Sequence, residues 1–316
     1  MKKIFFLASL CILSTGAGLF FYPQLRQYLP FYGQLRTTAI LLLRNPLCSY
    51  SDASRNLPLI YCPLYKFKMI YTKTTLLEKD ANGYEHWETP KGLFWTPSMT
   101  KKDNLAYTLA EIDCDIYGRP EQAGVHSGDI VLDCGAHIGT YTREALNAGA
   151  KLVVAIEPTR ESVVSLQRNF AKEITEGRVI VYDKGVWDRD EILTFYVDEI
   201  PTYNSTLKPS VGKSVESKIN VTTIDHIVSE LNLPRVDFIK MDIEGAEQKA
   251  LHGAKESIVK YKPRMAIATE HTDDIFVNAQ KVSEIVKSIN NGYQTECGEC
   301  IINSKAYVEP RILFFY

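Results

Sequence analysis

From residue 128 onward, short apolar runs alternate with stretches of helical period. Residues 130–132, 152–156, 179–182, 236–241 and 265–268 are apolar-rich and too short for helices, the pattern of strands buried on both faces. Between them, residues 139–148, 160–172, 246–260 and 275–291 repeat apolar side chains every three to four positions, which predicts helices. That order predicts an α/β fold, a doubly wound, Rossmann-like, mostly parallel sheet with helices on both faces. Residues 193–197 predict an added strand, and residues 312–316 a last strand joining the sheet's edge. Upstream, the alternation across Lys66 to Lys73 and the turn-forming Asp80-Ala-Asn-Gly83 predict a small β-meander over 65–99. A helix over 101–117 follows, broken by Gly118-Arg-Pro120. Residues 65–127 thus read as a β-rich cap, and residues 128–316 as the main domain.

The first residues have a different pattern. After Lys2 and Lys3 no charge occurs until Arg26, and the apolar part ends near Tyr22. That length is close to the roughly 20 residues that span a bilayer. Residues 1–22 therefore predict an N-terminal signal anchor or transmembrane helix, with a cleaved secretory signal as the alternative. Residues 23–64 read as a juxtamembrane connector. Arg26, Arg36 and Arg44 outnumber Lys2 and Lys3, which favours a membrane-anchored protein with a cytoplasmic catalytic body.

Charge sharpens this division. The formal net charge of the chain is -2, but residues 1–60 hold six basic residues against Asp52 alone, so the body is distinctly acidic. An acidic body is a poor counterion-releasing surface, which disfavours nucleic acid as a partner. Seven cysteines at irregular spacings do not resemble a disulfide framework and fit a reducing compartment. Cys297 and Cys300 form one C-x-x-C, without the second pair that structural zinc needs.

The candidate chemistry follows the strands. The first ends as Val131-Leu-Asp-Cys-Gly-Ala-His-Ile-Gly-Thr140 and runs into a helix. Gly135 permits close approach of a ligand and Gly139 close packing at the helix start, but the G-x-G-x-x-G dinucleotide fingerprint is absent. Asp133 before the glycines suits a ligand with an ammonium group better than a pyrophosphate. Glu157, at the end of the second strand, can accept from two ribose hydroxyls. Glu157 alone would also fit a nicotinamide dinucleotide; with Asp133 it favours S-adenosyl-L-methionine.

Residues Val131 to Thr142, followed by Ala155-Ile-Glu-Pro158, resemble the FkbM family of class I S-adenosylmethionine-dependent methyltransferases. Phe238-Ile-Lys-Met-Asp-Ile-Glu-Gly-Ala-Glu-Gln-Lys-Ala-Leu-His-Gly-Ala254 is similar to the family's most distinctive signature, and Glu270-His271 resembles its acidic-His pair. The resemblance covers about residues 105–292. It implies that Asp133, Gly135 and Gly139 line the methionine and ribose part of the cofactor, and that Glu157 holds the ribose hydroxyls. His137 stands in that loop where the family usually has Asn, and Asp183 would lie near the adenine amine. The reaction it implies is O-methylation of a small molecule, such as a hydroxyl of a sugar, glycolipid or related metabolite.

The sulfonium carbon of such a donor is already electrophilic, so the protein mainly aligns a hydroxyl and removes its proton. His271 is the first candidate base, because an unperturbed imidazole titrates near ~6.5, with Glu270 or Asp242 orienting it. Asp242, Glu244 and Glu270 complete the catalytic cluster. Asp242, Glu244 and His271 could alternatively hold a divalent cation. Glu247 reads as a cap of the following helix. Asn204-Ser-Thr206 and Asn220-Val-Thr222 match glycosylation sequons, without meaning in a cytoplasmic body. Two rival functions share the layout: a nicotinamide-dependent oxidoreductase, and a non-catalytic adenosylmethionine-binding membrane scaffold.

Overall fold

The structure is a computed structural model that describes residues 62–118, 122–198, 205–206, 214–272, 274–302 and 308–316. The membrane segment and nearly all of the connector expected from the sequence lie outside those residues, as do Arg119, Pro120 and Asn204. Among the described residues no helix is long and apolar enough to cross a membrane.

The described chain opens with helix α1 (Cys62–Lys73), where the alternation of lysines predicted a strand. Pro63 stands in the first turn, where its missing N–H costs nothing, and Pro63, Phe67 and Ile70 turn inward at helical spacing. Lys68 and Lys73, which produced the alternation, are exposed. Strands β1 (Thr75–Lys79), β2 (Tyr84–Thr89) and β3 (Gly92–Pro97) form an antiparallel sheet in that order. Asp80 fixes the first turn, its Oδ1 accepting from the backbone N–H of Asn82 and of Tyr84 at 2.9 Å each. Helix α2 (Lys102–Asp113) follows, and a Cys62–Cys114 disulfide ties its end to the start of α1. This bond and a second at Cys297 correct the reading of the cysteines as unpaired thiols. Neither bond is legible in the spacing, because 52 residues separate Cys62 from Cys114.

The main domain runs β4 (Ile130–Cys134), α3 (Thr140–Asn147), β5 (Leu152–Ile156), α4 (Arg160–Asn169), α5 (Ala171–Thr175) and β6 (Val179–Tyr182). Then β7 (Gly185–Val186), β8 (Glu191–Asp198), β9 (Ser205–Thr206) and β10 (Ser214–Thr222) build a second sheet in the order β7-β10-β8-β9. The chain returns through α6 (Ile224–Glu230), β11 (Phe238–Met241), α7 (Glu247–His252), α8 (Lys255–Tyr261), β12 (Arg264–Ala268) and α9 (Ile275–Ile289). It ends with β13 (Thr295–Cys297), a β14 (Cys300–Ile302) and β15 (Val308–Pro310) hairpin, and β16 (Ile312–Phe315). The single helix expected over 246–260 is two, because Gly253 passes so close to Trp187 that a Cβ there would stand 2.1 Å from the Trp187 carbonyl oxygen.

The seven-stranded sheet has the order β13-β16-β12-β11-β4-β5-β6. Strands β12, β11, β4, β5 and β6 are mutually parallel, while β16 pairs antiparallel with both β12 and β13. The last strand is therefore internal, and β13 forms the edge expected of it. The strand order reverses between β4 and β11, and a crevice opens there beyond the carboxyl ends of the strands, the place where such sheets bind ligands.

Two apolar clusters fill the faces of this sheet. Leu132, Ile239 and Met241 point to one side, and Val131 and Phe238 to the other, as the two-residue period of strands requires. The cap has its own core of Ile70, Trp87, Phe94, Leu105 and Leu109, closed by Ile138 from the loop after β4. Asn169 fastens the two parts. Its Oδ1 accepts from the Trp95 N–H at 2.6 Å, and its Nδ2 donates to the carbonyls of Trp95 and Ile138.

Candidate active site

A cavity of about 660 Å³ occupies the crevice and extends beneath the cap. Its floor is the loop after β4. Gly135 has φ 79°, and a Cβ there would lie 1.9 Å from the backbone oxygen of Asp242 after β11, so only glycine lets the two loops meet. His137 is also left-handed, at φ 51°, and its backbone N–H donates to Glu157 Oε2 at 3.0 Å. Glu157 Oε1 accepts from the Thr159 N–H at 3.0 Å. These bonds leave the Glu157 carboxylate facing the cavity in a fixed orientation, together with Gly135, Ala136 and His137. Gly185, Val186 and Trp187 form the neighbouring wall.

Asp133 lies behind that floor, paired with Lys240, which also lines the cavity. They stand directly opposite one another on β4 and β11, with Lys240 Nζ 3.3 Å from Asp133 Oδ1. Thr142 Oγ1 donates to Asp133 Oδ2 at 2.6 Å, and Lys240 Nζ donates to the Gly135 carbonyl at 2.8 Å. The Asp133 side chain is fully buried and does not line the cavity. Lys240 remains a cation because the attraction of Asp133 and Asp242 overcomes the cost of its burial. Asp133 is thus a support beneath the loop and not a wall residue. Gly139 likewise serves packing, since a Cβ at its φ of 90° would meet the Phe170 ring at 2.1 Å.

Asp242, Glu244, Glu270 and His271 line the same cavity. Asp242 Oδ1 is 3.5 Å from His271 Nδ1, Glu244 Oε2 is 3.7 Å from Nε2, and Glu247 Oε1 is 3.7 Å from Nδ1. Burial alone would strip the proton from His271, but these three carboxylates outweigh it and raise its pKa to about 10. The unperturbed imidazole expected from the sequence is an imidazolium. Burial acts the other way on Glu244, lifting its carboxyl to about 8. Asp242 is opposed by burial too, but Lys240, His271 and the Tyr117 hydroxyl, which donates to Asp242 Oδ2 at 2.6 Å, hold it ionised. Glu247 caps the loop, its Oε1 accepting from the Ile243 and Gly245 N–H groups.

Asp242, Glu247 and His271 bring donor atoms within 4.8 Å of one another. A metal there would have to displace the His271 proton. Glu244, the other carboxylate weighed from the sequence as a cation ligand, is not in that group.

The sequence profile of the Methyltransferase FkbM domain matches residues 133–298, more than half of the chain. The chain belongs to the FkbM methyltransferase domain family. The comparison with curated proteins yields no match. A methyltransferase FkbM from Methylobacillus flagellatus KT is similar at 21% identity and TM-score 0.44, over 84% of this chain and 60% of that one. This chain thus spans less than two thirds of that structure's length. A precorrin-6y C5,15-methyltransferase from Geobacter metallireducens GS-15 is similar at 13% identity and TM-score 0.36, over 68% of this chain and 87% of that one. Magnesium protoporphyrin IX methyltransferase from Synechocystis PCC 6803, with bound SAM, gives 13% identity and TM-score 0.34, over 60% of this chain and 70% of that one. The family assignment rests on the profile match and on none of these three.

As an FkbM methyltransferase domain the protein uses S-adenosylmethionine, and the nicotinamide reading is set aside. The cavity fits that cofactor at Gly135, where no side chain can intrude, and at Glu157, whose carboxylate is already oriented. Of the cofactor-side residues named from the sequence, Gly135, His137 and Glu157 line the cavity, whereas Asp133, Gly139 and Asp183 do not. Asp183 is exposed, and Gly185 to Trp187 form the wall expected of it. Residues without a sequence signal also line it: Tyr117, Arg311 and the α2 side chains Tyr107 and Glu111.

Proposed function

We propose that the protein methylates a hydroxyl of a sugar, glycolipid or related small metabolite. The observation that carries this reading is one cavity lined both by Gly135 and Glu157 and by Asp242, Glu244 and His271. S-adenosylmethionine, when bound, supplies the electrophilic methyl group. Glu157 holds hydroxyls of the donor, and Lys240, through the Gly135 carbonyl, keeps the loop beneath it in place. His271 accepts the acceptor's proton. Asp242, fixed by Tyr117, faces Nδ1 and favours the protonated imidazole that results.

Calorimetric titration of the full-length protein with S-adenosylhomocysteine tests the donor end. Micromolar binding is expected, weakened at least about tenfold in Glu157→Ala, the size of a hydrogen-bonded charge. A folded protein that binds equally well with and without the Glu157 carboxylate would remove the proposed donor orientation.

A tether through residues 1–22 belongs to the same proposal. The Cys62–Cys114 bond supports an oxidising compartment for the body, the reverse of the side favoured by the arginine balance. Asn220, one of the two sequon asparagines, is exposed on β10, which agrees with that side. Alkylation of protein taken directly from membranes should leave Cys62 and Cys114 unmodified until a reductant is added. Labelling of both thiols without reductant would restore the cytoplasmic placement.

A further inference from the structure

The cap contributes one helix to the cavity, and its polarity is inverted relative to an ordinary surface helix. On α2, Leu105, Ala106, Leu109, Ala110 and Ile112 are buried in the core. The residues at i, i+3, i+4 and i+7, Asn104, Tyr107, Thr108 and Glu111, line the cavity. Such spacing puts four side chains on one face, here an amide, a phenol, a hydroxyl and a carboxyl. This face lies on the same cavity as His271 and Glu270.

Arg311 enters this end of the cavity between β15 and β16. It is a cation, yet its charge is already committed. Its Nε and Nη2 donate to the two oxygens of Glu270, its Nη1 to Glu299 Oε2 at 2.8 Å, and its Nη2 again to Glu111 Oε1 at 3.3 Å. Four of the five N–H groups of a guanidinium are thereby used. Two more cations belong to the wall: Lys240 is spent on Asp133 and the Gly135 carbonyl, and the His271 imidazolium is faced by Asp242, Glu244 and Glu247 at 3.5–3.7 Å. An entering phosphate or carboxylate would find no cation without a facing carboxylate among the described wall residues, and would meet the ionised Asp242 and the Glu270 side chain, beside the Glu111 and Glu244 carboxyls that burial lifts to about 8. A polyol would find acceptors and donors spaced along one helix face, and a phenol ring to lie against.

We infer that the α2 face, with Glu111 held by Arg311, is an acceptor subsite for neutral or amino-bearing polyols that excludes acceptors carrying a phosphate or carboxylate. This rests on the methyltransferase reading and narrows its substrate class. Glu111 acts as a specificity residue: it takes up a further N–H of Arg311, and offers its own oxygens to vicinal hydroxyls or an ammonium.

The test uses the full-length protein saturated with S-adenosylhomocysteine and four probes: methyl glucoside, methyl glucosaminide, methyl glucuronide and glucose 6-phosphate. Binding is followed by saturation-transfer NMR and competition titration. The neutral and amino probes are expected to bind, and the two anionic probes at least about tenfold more weakly. Glu111→Gln should narrow that gap at least threefold while leaving S-adenosylhomocysteine affinity unchanged, an effect a merely structural role would not produce. Anionic probes that bind as tightly as the neutral one, or a protein that binds none of the four, would overturn the inference. Failure of the methyltransferase reading shows separately, as loss of S-adenosylhomocysteine binding before any probe is added.

Discussion

Lys240→Met is expected to lower the stability of the folded protein by about 3–5 kcal/mol, the usual cost of removing one partner from a buried ion pair. The methionine fills the same volume, so the loss is electrostatic. Asp133 would keep the Thr142 hydroxyl at 2.6 Å and lose the Lys240 ammonium beside its other oxygen, in a fully buried position. Total stabilities of domains run about 5–15 kcal/mol, so the variant would be close to unfolding. Urea denaturation of the full-length protein measures it directly. Lys240→Met combined with Asp133→Leu should recover a large part of the loss, because the pair then leaves together and its face of the sheet is otherwise apolar. A single variant within about 1 kcal/mol of the parent would mean that Asp133 does not depend on the Lys240 ammonium. The Gly135 loop would still lose the Lys240 bond at 2.8 Å in both variants. The double variant is therefore expected to regain stability without regaining cofactor affinity.

That pair shows how far the sequence could be read. The alternation of strands and helices from residue 128 onward is legible because both faces of the sheet are covered, and an apolar run has few other places to go. Lys240 went unread, although a lysine inside a run otherwise made for burial asks for a partner. Its partner was read as a ligand contact, since nothing in one sequence tells which face of β4 carries Asp133. The register does, because Asp133 and Lys240 are opposite one another. Local signals failed where long-range contact decides the outcome. The alternating lysines of α1 carry no information on the disulfide at Cys62 or the packing of Ile70, and these fit a helix. β13 and β16 exchange places because a three-residue strand has almost no pattern of its own. The cluster of Asp242, Glu244, Glu270 and His271 on one cavity was legible, because these residues follow two adjacent strands. The same cavity was illegible in Glu111 and Arg311, which are 200 residues apart and meet at 3.3 Å.

His271→Gln should reduce kcat by about 10²–10⁴, the span of positioned acid–base catalysis, while leaving S-adenosylhomocysteine binding intact. The pH dependence distinguishes a base from a structural imidazole. The productive form is the neutral ring, whose fraction grows with pH below its pKa. With that pKa at about 10, roughly three molecules in a thousand carry a neutral ring at pH 7.5. The profile of kcat/KM reports the free protein. It should therefore climb about tenfold per pH unit between 7 and 9 and bend near 10. A bound cation in the same cavity opposes the imidazolium, so kcat, which reports the loaded protein, should bend at lower pH. Glu244 supplies the sign check. Its carboxylate, 3.7 Å from Nε2, stabilises the charged ring. Glu244→Gln removes that stabilisation, and the kcat/KM bend should move down in pH. The glutamine at position 271 cannot titrate and should abolish the slope altogether. A variant that keeps both the slope and more than a third of the parent's kcat would show that the proton leaves by another route, with Asp242, already ionised, as the next group to replace.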